Sequence, residues 1–199
     1  MKKNLTATLL VSSTCLSLPA QSTLEGYFIG LGTRQGTGQE THNTGQIWLL
    51  DADDPTQKTF IHKHDIAVNG LAWDAGNHKL YFKDNSSNLY SYDPQTGVKE
   101  FVTPLLESTN SAGFYNGGYY YIAGGTSKLY RYDVSTKTQQ TVANLGGISK
   151  TYAQVSHGDL TFTNDRLTVV GNVKDEGFRM LHYELADVDS PPHPMASSP

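Results

Sequence analysis

The feature that most constrains this chain is a pattern of short strands and tight turns, seen best in residues 69–102. Four apolar and aromatic runs occur there, at Leu71–Trp73, Leu80–Phe82, Leu89–Tyr92 and Lys99–Val102. Clusters of Asp, Asn, Gly, Ser or Pro separate the runs, and these residue types close tight turns. The stretch therefore predicts four short strands that follow one another in an antiparallel meander.

The same pattern recurs along the chain, with an acidic residue at the end of each third strand. These residues are Asp51, Asp93, Asp133 and Glu184, at spacings of about 40 to 50 residues. Four strands at that period are typical of the blades of a β-propeller. Helical periodicity is nowhere sustained over ten residues, which argues against an α-rich fold. The sequence predicts an all-β chain, a β-propeller of four-stranded antiparallel blades.

The copies of the repeat differ in completeness. About four blades are expected, two complete and two partial, at residues 26–64, 66–105, 108–145 and 152–187. The first copy lacks its first strand and the last lacks its fourth, and these gaps do not complement each other in a shared closing blade. A piece of a larger propeller, a compact four-bladed ring and another β-rich stack all stay open. The propeller domain is expected over 23–188, followed by a disordered Pro/Ser tail, 189–199.

Residues 1–22 are predicted to form an export signal peptide. A positively charged start precedes the mildly apolar Leu5–Leu18, and cleavage is expected after Ala20 or Ser22. The segment is too short and too rich in Ser and Thr for a membrane span. Cys15 is the single cysteine, so removal of the signal would leave no disulfide or thiolate chemistry. We expect an exported bacterial protein, periplasmic or extracellular.

Charge and motif content narrow the classes of function. The chain has 15 Lys and Arg against 19 Asp and Glu, with no basic stripe for a phosphate backbone, so nucleic acid is not an expected partner. The G-x-S-x-G, H-E-x-x-H, C-x-x-C, P-loop and G-x-G-x-x-G motifs do not occur. A catalytic site assembled across blades would leave no local motif, so these observations favour a binding module without excluding an enzyme.

The repeat resembles that of a family of exported bacterial β-propeller proteins with the pattern NGLAYDP…LYRIDPxTG, related loosely to the YVTN and NHL propellers. Asn69–Asp74, Lys79–Tyr81, Asn88–Asp93 and Thr96–Gly97 carry the resemblance most completely. Residues 128–133 and 157–162 match in part, and the resemblance covers about residues 26–187. It implies a propeller of six or more blades in a full-length member and specifies no shared active site.

Polar residues at the starts of first strands are the candidate ligand-binding residues. They are Asn69, Ser111, His157 and Asp159. The start of a blade's first strand lies near the central channel of a propeller, so these side chains could line a pocket at its mouth. The alternative is that they satisfy backbone groups in the connections between blades.

Two groups of residues suggest a metal. His62 and His64 are two apart on a predicted strand and share one face, with Asp65 adjacent, which is the most ligand-like group in the chain. A solvated outer strand is the alternative. Carboxylates at positions 51, 53 and 54 could hold calcium, or could form an Asx-rich turn. No cofactor is expected beyond this possible divalent metal.

Three hypotheses about function follow. The first is a secreted propeller that binds a protein or glycan. The second is a propeller hydrolase or lyase, similar to lactonases, with a site at the channel mouth and a bound divalent metal. The third is a truncated member of a larger propeller family. The recurring aromatic residues are interpreted as packing between blades, since they appear at equivalent positions in every copy: Trp48, Tyr90, Tyr92, Tyr130, Tyr132 and Tyr183.

Overall fold

A computed structural model describes residues 27–33, 44–109, 111–123, 126, 128–145, 159–163, 166–173 and 177–184. Within these ranges the regular secondary structure consists of fourteen β-strands and includes no helix. The expected signal peptide, the expected tail and His157 lie outside the described residues. The prediction of an all-β fold is confirmed.

The strands form four antiparallel sheets, and each strand pairs with its neighbour in the chain. The first sheet contains β1 (Tyr27–Thr33), β2 (Thr44–Leu50) and β3 (Lys58–His64). The second contains β4 (Asn69–Asp74), β5 (Lys79–Lys83), β6 (Asn88–Tyr92) and β7 (Lys99–Pro104). The third contains β8 (Ala112–Tyr115), β9 (Gly118–Ile122), β10 (Lys128–Asp133) and β11 (Thr138–Asn144). The fourth contains β12 (Asp159–Thr163), β13 (Arg166–Val173) and β14 (Gly177–Glu184).

The turn before the last strand uses aspartate in the same way in the first three sheets. Asp93 Oδ1 accepts hydrogen bonds from the backbone amides of residues 95 and 96, at 2.8 and 3.2 Å. Asp51 and Asp133 accept from the amides two and three positions further on, at 2.8 to 3.0 Å. These Asx turns fix the hairpins locally. The interpretation of these aspartates as strand-to-turn corners is confirmed.

Sheets that follow one another in the chain pack side by side through the first strand of each sheet. β4 contacts β1 on one side and β8 on the other, and β8 also contacts β12. Among the described strands, the first and fourth sheets have no contact of similar extent. Each junction therefore buries one face of a sheet against the next, as blades do in a propeller.

Aromatic rings fill the junctions between sheets. Tyr81 of the second sheet stacks on Phe114 of the third, with ring centroids 5.2 Å apart. Tyr115 and Phe162 repeat this contact between the third and fourth sheets at 5.1 Å. The junction between the second and third sheets is the second junction. Its core combines small and aromatic side chains: Ala72, Tyr81, Leu89, Leu105, Ala112, Tyr119, Tyr121, Ala123, Tyr130 and Tyr132. The predicted packing role is confirmed for Tyr92, Tyr130, Tyr132 and Tyr183, which are buried in the cores between sheets. Trp48 and Tyr90 are only partly buried, and their rings contact Phe60 and Phe101 of their own sheets.

The second and third sheets approach each other closely at Gly70. This glycine has a φ of +57° and lies within a bulge between β4 and β5. Its carbonyl oxygen accepts a buried hydrogen bond of 2.7 Å from the Tyr119 hydroxyl. A Cβ at position 70 would lie 2.8 Å from that hydroxyl and 3.2 Å from the Ala112 Cβ. Glycine is therefore required both by the left-handed backbone and by the neighbouring sheet.

We predict that Gly70→Ala lowers the free energy of unfolding by about 3 kcal/mol, because it adds a steric clash and displaces a buried hydrogen bond. Gly97→Ala is the matched control. Gly97 also has a positive φ, of +73°, but a Cβ there would meet nothing within 4 Å. The control should lose only about 1 kcal/mol from the left-handed backbone alone. Urea unfolding of both variants measures the difference, and equal losses would contradict the close approach at Gly70.

Candidate functional site

Two of the predicted ligand-binding residues lie at corresponding ends of neighbouring sheets. Asn69 opens β4, and Ser111 immediately precedes β8. The contact of Gly70 with Ala112 brings these two ends together. The Asn69 amide donates to Asn85 Oδ1 at 3.2 Å. The Ser111 hydroxyl oxygen is buried and has no hydrogen-bond partner in the described part of the chain.

The other two predicted residues are only partly covered by the structure. His157 lies outside the described residues. Asp159 opens β12 opposite Val170, and its side chain also lies outside what is described. The role of both in ligand binding stays a prediction.

A buried lysine, which is not among the residues predicted from the sequence, lies beside Asn69. Lys83 ends β5 and is the cross-strand partner of Asn69, with only 2% of its surface exposed. Its Nζ donates to the Asp84 carbonyl oxygen at 3.0 Å and reaches Ser108 Oγ at 3.5 Å. The Asp84 carboxylate instead accepts from the Ser86 amide and from the backbone and side chain of Asn88, at 2.8 to 2.9 Å.

The charge of Lys83 is therefore poorly compensated. Among the described residues, no carboxylate oxygen lies within ion-pair distance of its Nζ. Burial lowers the pKa of Lys83, while the nearby negative charge of Asp84 opposes that shift. The sequence of β5, a short apolar run between two lysines, gives no signal of this, since lysine at the end of a strand usually reaches solvent.

These polar groups form one assembly at the end of the junction between the second and third sheets. We call it the polar cluster, and its members are Asn69, Lys83, Asn85, Ser108, Thr109 and Ser111. Within it, Thr109 Oγ1 donates to the Ser111 carbonyl oxygen at 2.8 Å and accepts from the Ser111 amide at 3.1 Å. The cluster offers one positive charge, two amides and three hydroxyls, which are groups that recognise polar ligands through hydrogen bonds.

The candidate metal ligands separate in the structure. The rings of His62 and His64 lie together, with centroids 4.6 Å apart. Asp65 instead pairs with Lys99 at 2.7 Å, and 84% of its side chain is exposed. The described residues contain no group of three or more His, Cys, Asp or Glu side chains placed to hold a metal ion. A metal at the histidine pair therefore stays a prediction, as does calcium at residues 51, 53 and 54.

His64 is part of the junction between the first and second sheets. It is 2% exposed, and its ring contacts those of Phe82 and Tyr92 with centroid distances of 4.8 Å. The predicted alternative of a solvated face is therefore wrong for His64. Burial lowers the pKa of His64 to about 4, helped by repulsion from His62 and Lys99 and opposed by Asp65.

A second polar site lies on the fourth sheet. A cleft of about 390 Å3 is lined by Thr163, Arg166, Thr168 and His182. Arg166 donates from Nε and Nη2 to Glu184 Oε1 at 2.9 and 2.7 Å, and Thr168 Oγ1 lies 3.0 Å from His182 Nδ1. Arg166, Thr168 and His182 therefore already have side-chain partners on the same sheet.

Comparison with known proteins identifies the fold and no family. No protein-family model matches the chain, and no curated protein matches its sequence. Among solved structures, TolB from Acinetobacter baumannii is 16% identical, with a TM-score of 0.51 over 73% of this chain and 36% of its own. A chain of the nidogen/laminin complex is 8% identical, with a TM-score of 0.60 over 86% of this protein and 61% of the matched chain. A protein of unknown function from Bacteroides thetaiotaomicron VPI-5482 is 11% identical, with a TM-score of 0.57 over 89% and 42%.

These similarities establish a β-propeller fold of four-stranded antiparallel blades. This chain spans less than two thirds of the length of each of the three solved structures. In the part of the chain that the structure describes, no helix has the length and apolar character needed to cross a membrane.

We predict that the protein loses stability as the pH falls from about 6.5 to about 4. The folded state keeps His64 neutral over this range while the unfolded chain takes up the proton, so protonation favours unfolding. The loss from this residue amounts to roughly 3 kcal/mol and levels off below pH 4. Urea unfolding across this pH range measures the slope.

His64→Leu should flatten that slope, because the variant has no group at this position to titrate. Replacement of the exposed His78 by Gln is the control and should leave the slope in place. A slope unchanged by His64→Leu would contradict the burial of the neutral ring.

Proposed function

We propose that this protein is an exported β-propeller that binds a protein or glycan ligand through the polar cluster. The observation that carries the proposal is the buried lysine of the cluster, which lacks a carboxylate partner among the described residues. A buried charge is costly unless it is paired. Such a group at the end of an otherwise aromatic junction is therefore explained best by a ligand.

The fold supports an interaction role. One of the solved structures of the same fold is a complex between nidogen and laminin. Propellers carry many different functions on one scaffold, so the function has to be argued from the site. The site supports binding because its described members are an ammonium group, amides and hydroxyls, without a histidine or carboxylate side chain among them.

Export is the second part of the proposal. It is supported by residues 1–22, with their positive start and their apolar centre. An exported protein of this kind would meet ligands of the periplasm or the cell exterior, where peptides and glycans are available.

The test is to mix the purified protein with neutral oligosaccharides, acidic oligosaccharides and short peptides. Thermal shift would report binding, and mass spectrometry would report the chemical fate of each compound. We expect one class to raise the melting temperature and to be recovered unchanged. Asn69→Ala should weaken that binding at least fivefold, because the variant removes an amide of the polar cluster.

Gln95→Ala is the matched control, since this exposed amide lies in a hairpin turn outside the cluster. It should bind as the wild type does. The proposal fails if no compound binds, if Asn69→Ala and Gln95→Ala behave alike, or if a bound compound is consumed.

A further inference from the structure

Lys83 differs from other lysines of the described strands in how its charge is compensated. Lys79 pairs with Glu100 at 3.3 Å, Lys99 pairs with Asp65 at 2.7 Å, and Lys58 lies over the Trp48 ring at 5.1 Å. Lys83 is more buried than any of these and has a carbonyl and a distant hydroxyl as its only described partners. The Asp84 carboxylate is near, but among the described residues no carboxylate lies within ion-pair distance of the Lys83 ammonium.

We propose that Lys83 binds the carboxylate of a sugar acid, whose hydroxyls are held by the polar cluster. This inference rests on the proposed binding function and names its ligand class. A lysine ammonium has three donors. One makes a good hydrogen bond to the Asp84 carbonyl oxygen at 3.0 Å, and the contact with Ser108 at 3.5 Å is at the limit of a hydrogen bond. A carboxylate oxygen would satisfy the remaining capacity and neutralise the charge.

The surroundings of Lys83 favour a ligand with one negative charge and several hydroxyls. A single ammonium balances one carboxylate, whereas sites for phosphate dianions usually add arginines or further positive charges. Lys83 itself is buried, whereas Asn85 and Ser108 beside it are exposed, so a ligand would enter at this rim of the junction. The buried, unpartnered hydroxyl of Ser111 and the amide of Asn69 add donors and acceptors of the kind that sugar hydroxyls use.

The test is isothermal titration calorimetry of the purified protein at pH 7 with D-glucuronate, D-glucose and inorganic phosphate as probes. We expect glucuronate to bind at least tenfold more tightly than either of the other two. Lys83→Met should reduce the affinity for glucuronate at least tenfold, since it keeps the length of the side chain and removes the charge.

Lys79→Met is the matched control. This lysine lies on the same strand, at its other end, and pairs with Glu100 at the surface. Its replacement should change the affinity for glucuronate less than twofold. The proposal is overturned if wild type does not bind glucuronate, if phosphate or glucose binds as tightly, or if the two lysine variants have equal affinity.

A measurement on the wild-type protein tests the proposal even if Lys83→Met does not fold. In a 13C-lysine-labelled sample, glucuronate should shift the Lys83 Cε resonance more than that of any other lysine, and an unmoved Lys83 resonance would overturn the proposal. If a neutral oligosaccharide or a peptide binds in an Asn69-dependent way while glucuronate does not, the sugar-acid inference fails and the proposed binding function stands.

Discussion

The structure depends on the packing of each sheet's face against the next sheet. At the second junction, this packing brings β4 close enough to the third sheet for the Tyr119 hydroxyl to bond the Gly70 carbonyl at 2.7 Å. A single sheet with one apolar face cannot bury it alone, so each blade is stabilised by its neighbours. The rings of Tyr81 and Phe114 fill the space beside this contact and extend the dry interface along the junction.

The position of the polar cluster follows from this packing. Because Gly70 lies against Ala112, the residues beside them, Asn69 and Ser111, are carried to the same end of the junction. Lys83 is buried at the end of β5, where Ser108 of the connection between β7 and β8 lies beside its ammonium. The junction thus provides both the apolar core and the buried charge. The geometry of the proposed site is therefore a consequence of how two blades meet and of the connection between β7 and β8, which carries Ser108, Thr109 and Ser111.

Local sequence patterns predict much of the fold, but they predict less of the candidate site. Alternating apolar residues and Asx turns are local signals, so the strands of the four sheets and corners such as Asp93 were predictable. Burial across a junction depends on the sheet that covers a side chain, which no local pattern shows. For that reason the sequence predicts either a metal ligand or a solvated face for His64, which in fact packs against Phe82 and Tyr92. The burial of Lys83 has no local signal either, because its neighbour Ser108 is distant in the chain, whereas Asn69 is predictable because it marks a strand start.

The most direct test of this account is an NMR measurement of nuclear Overhauser effects across the second junction. The account predicts contacts between the Tyr81 and Phe114 rings, between Tyr119 and Gly70, and between the Lys83 side chain and Ser108, together with those inside each sheet. Contacts within the sheets without those three across the junction would contradict it. In that case the sheets would form without the packing that assembles the polar cluster.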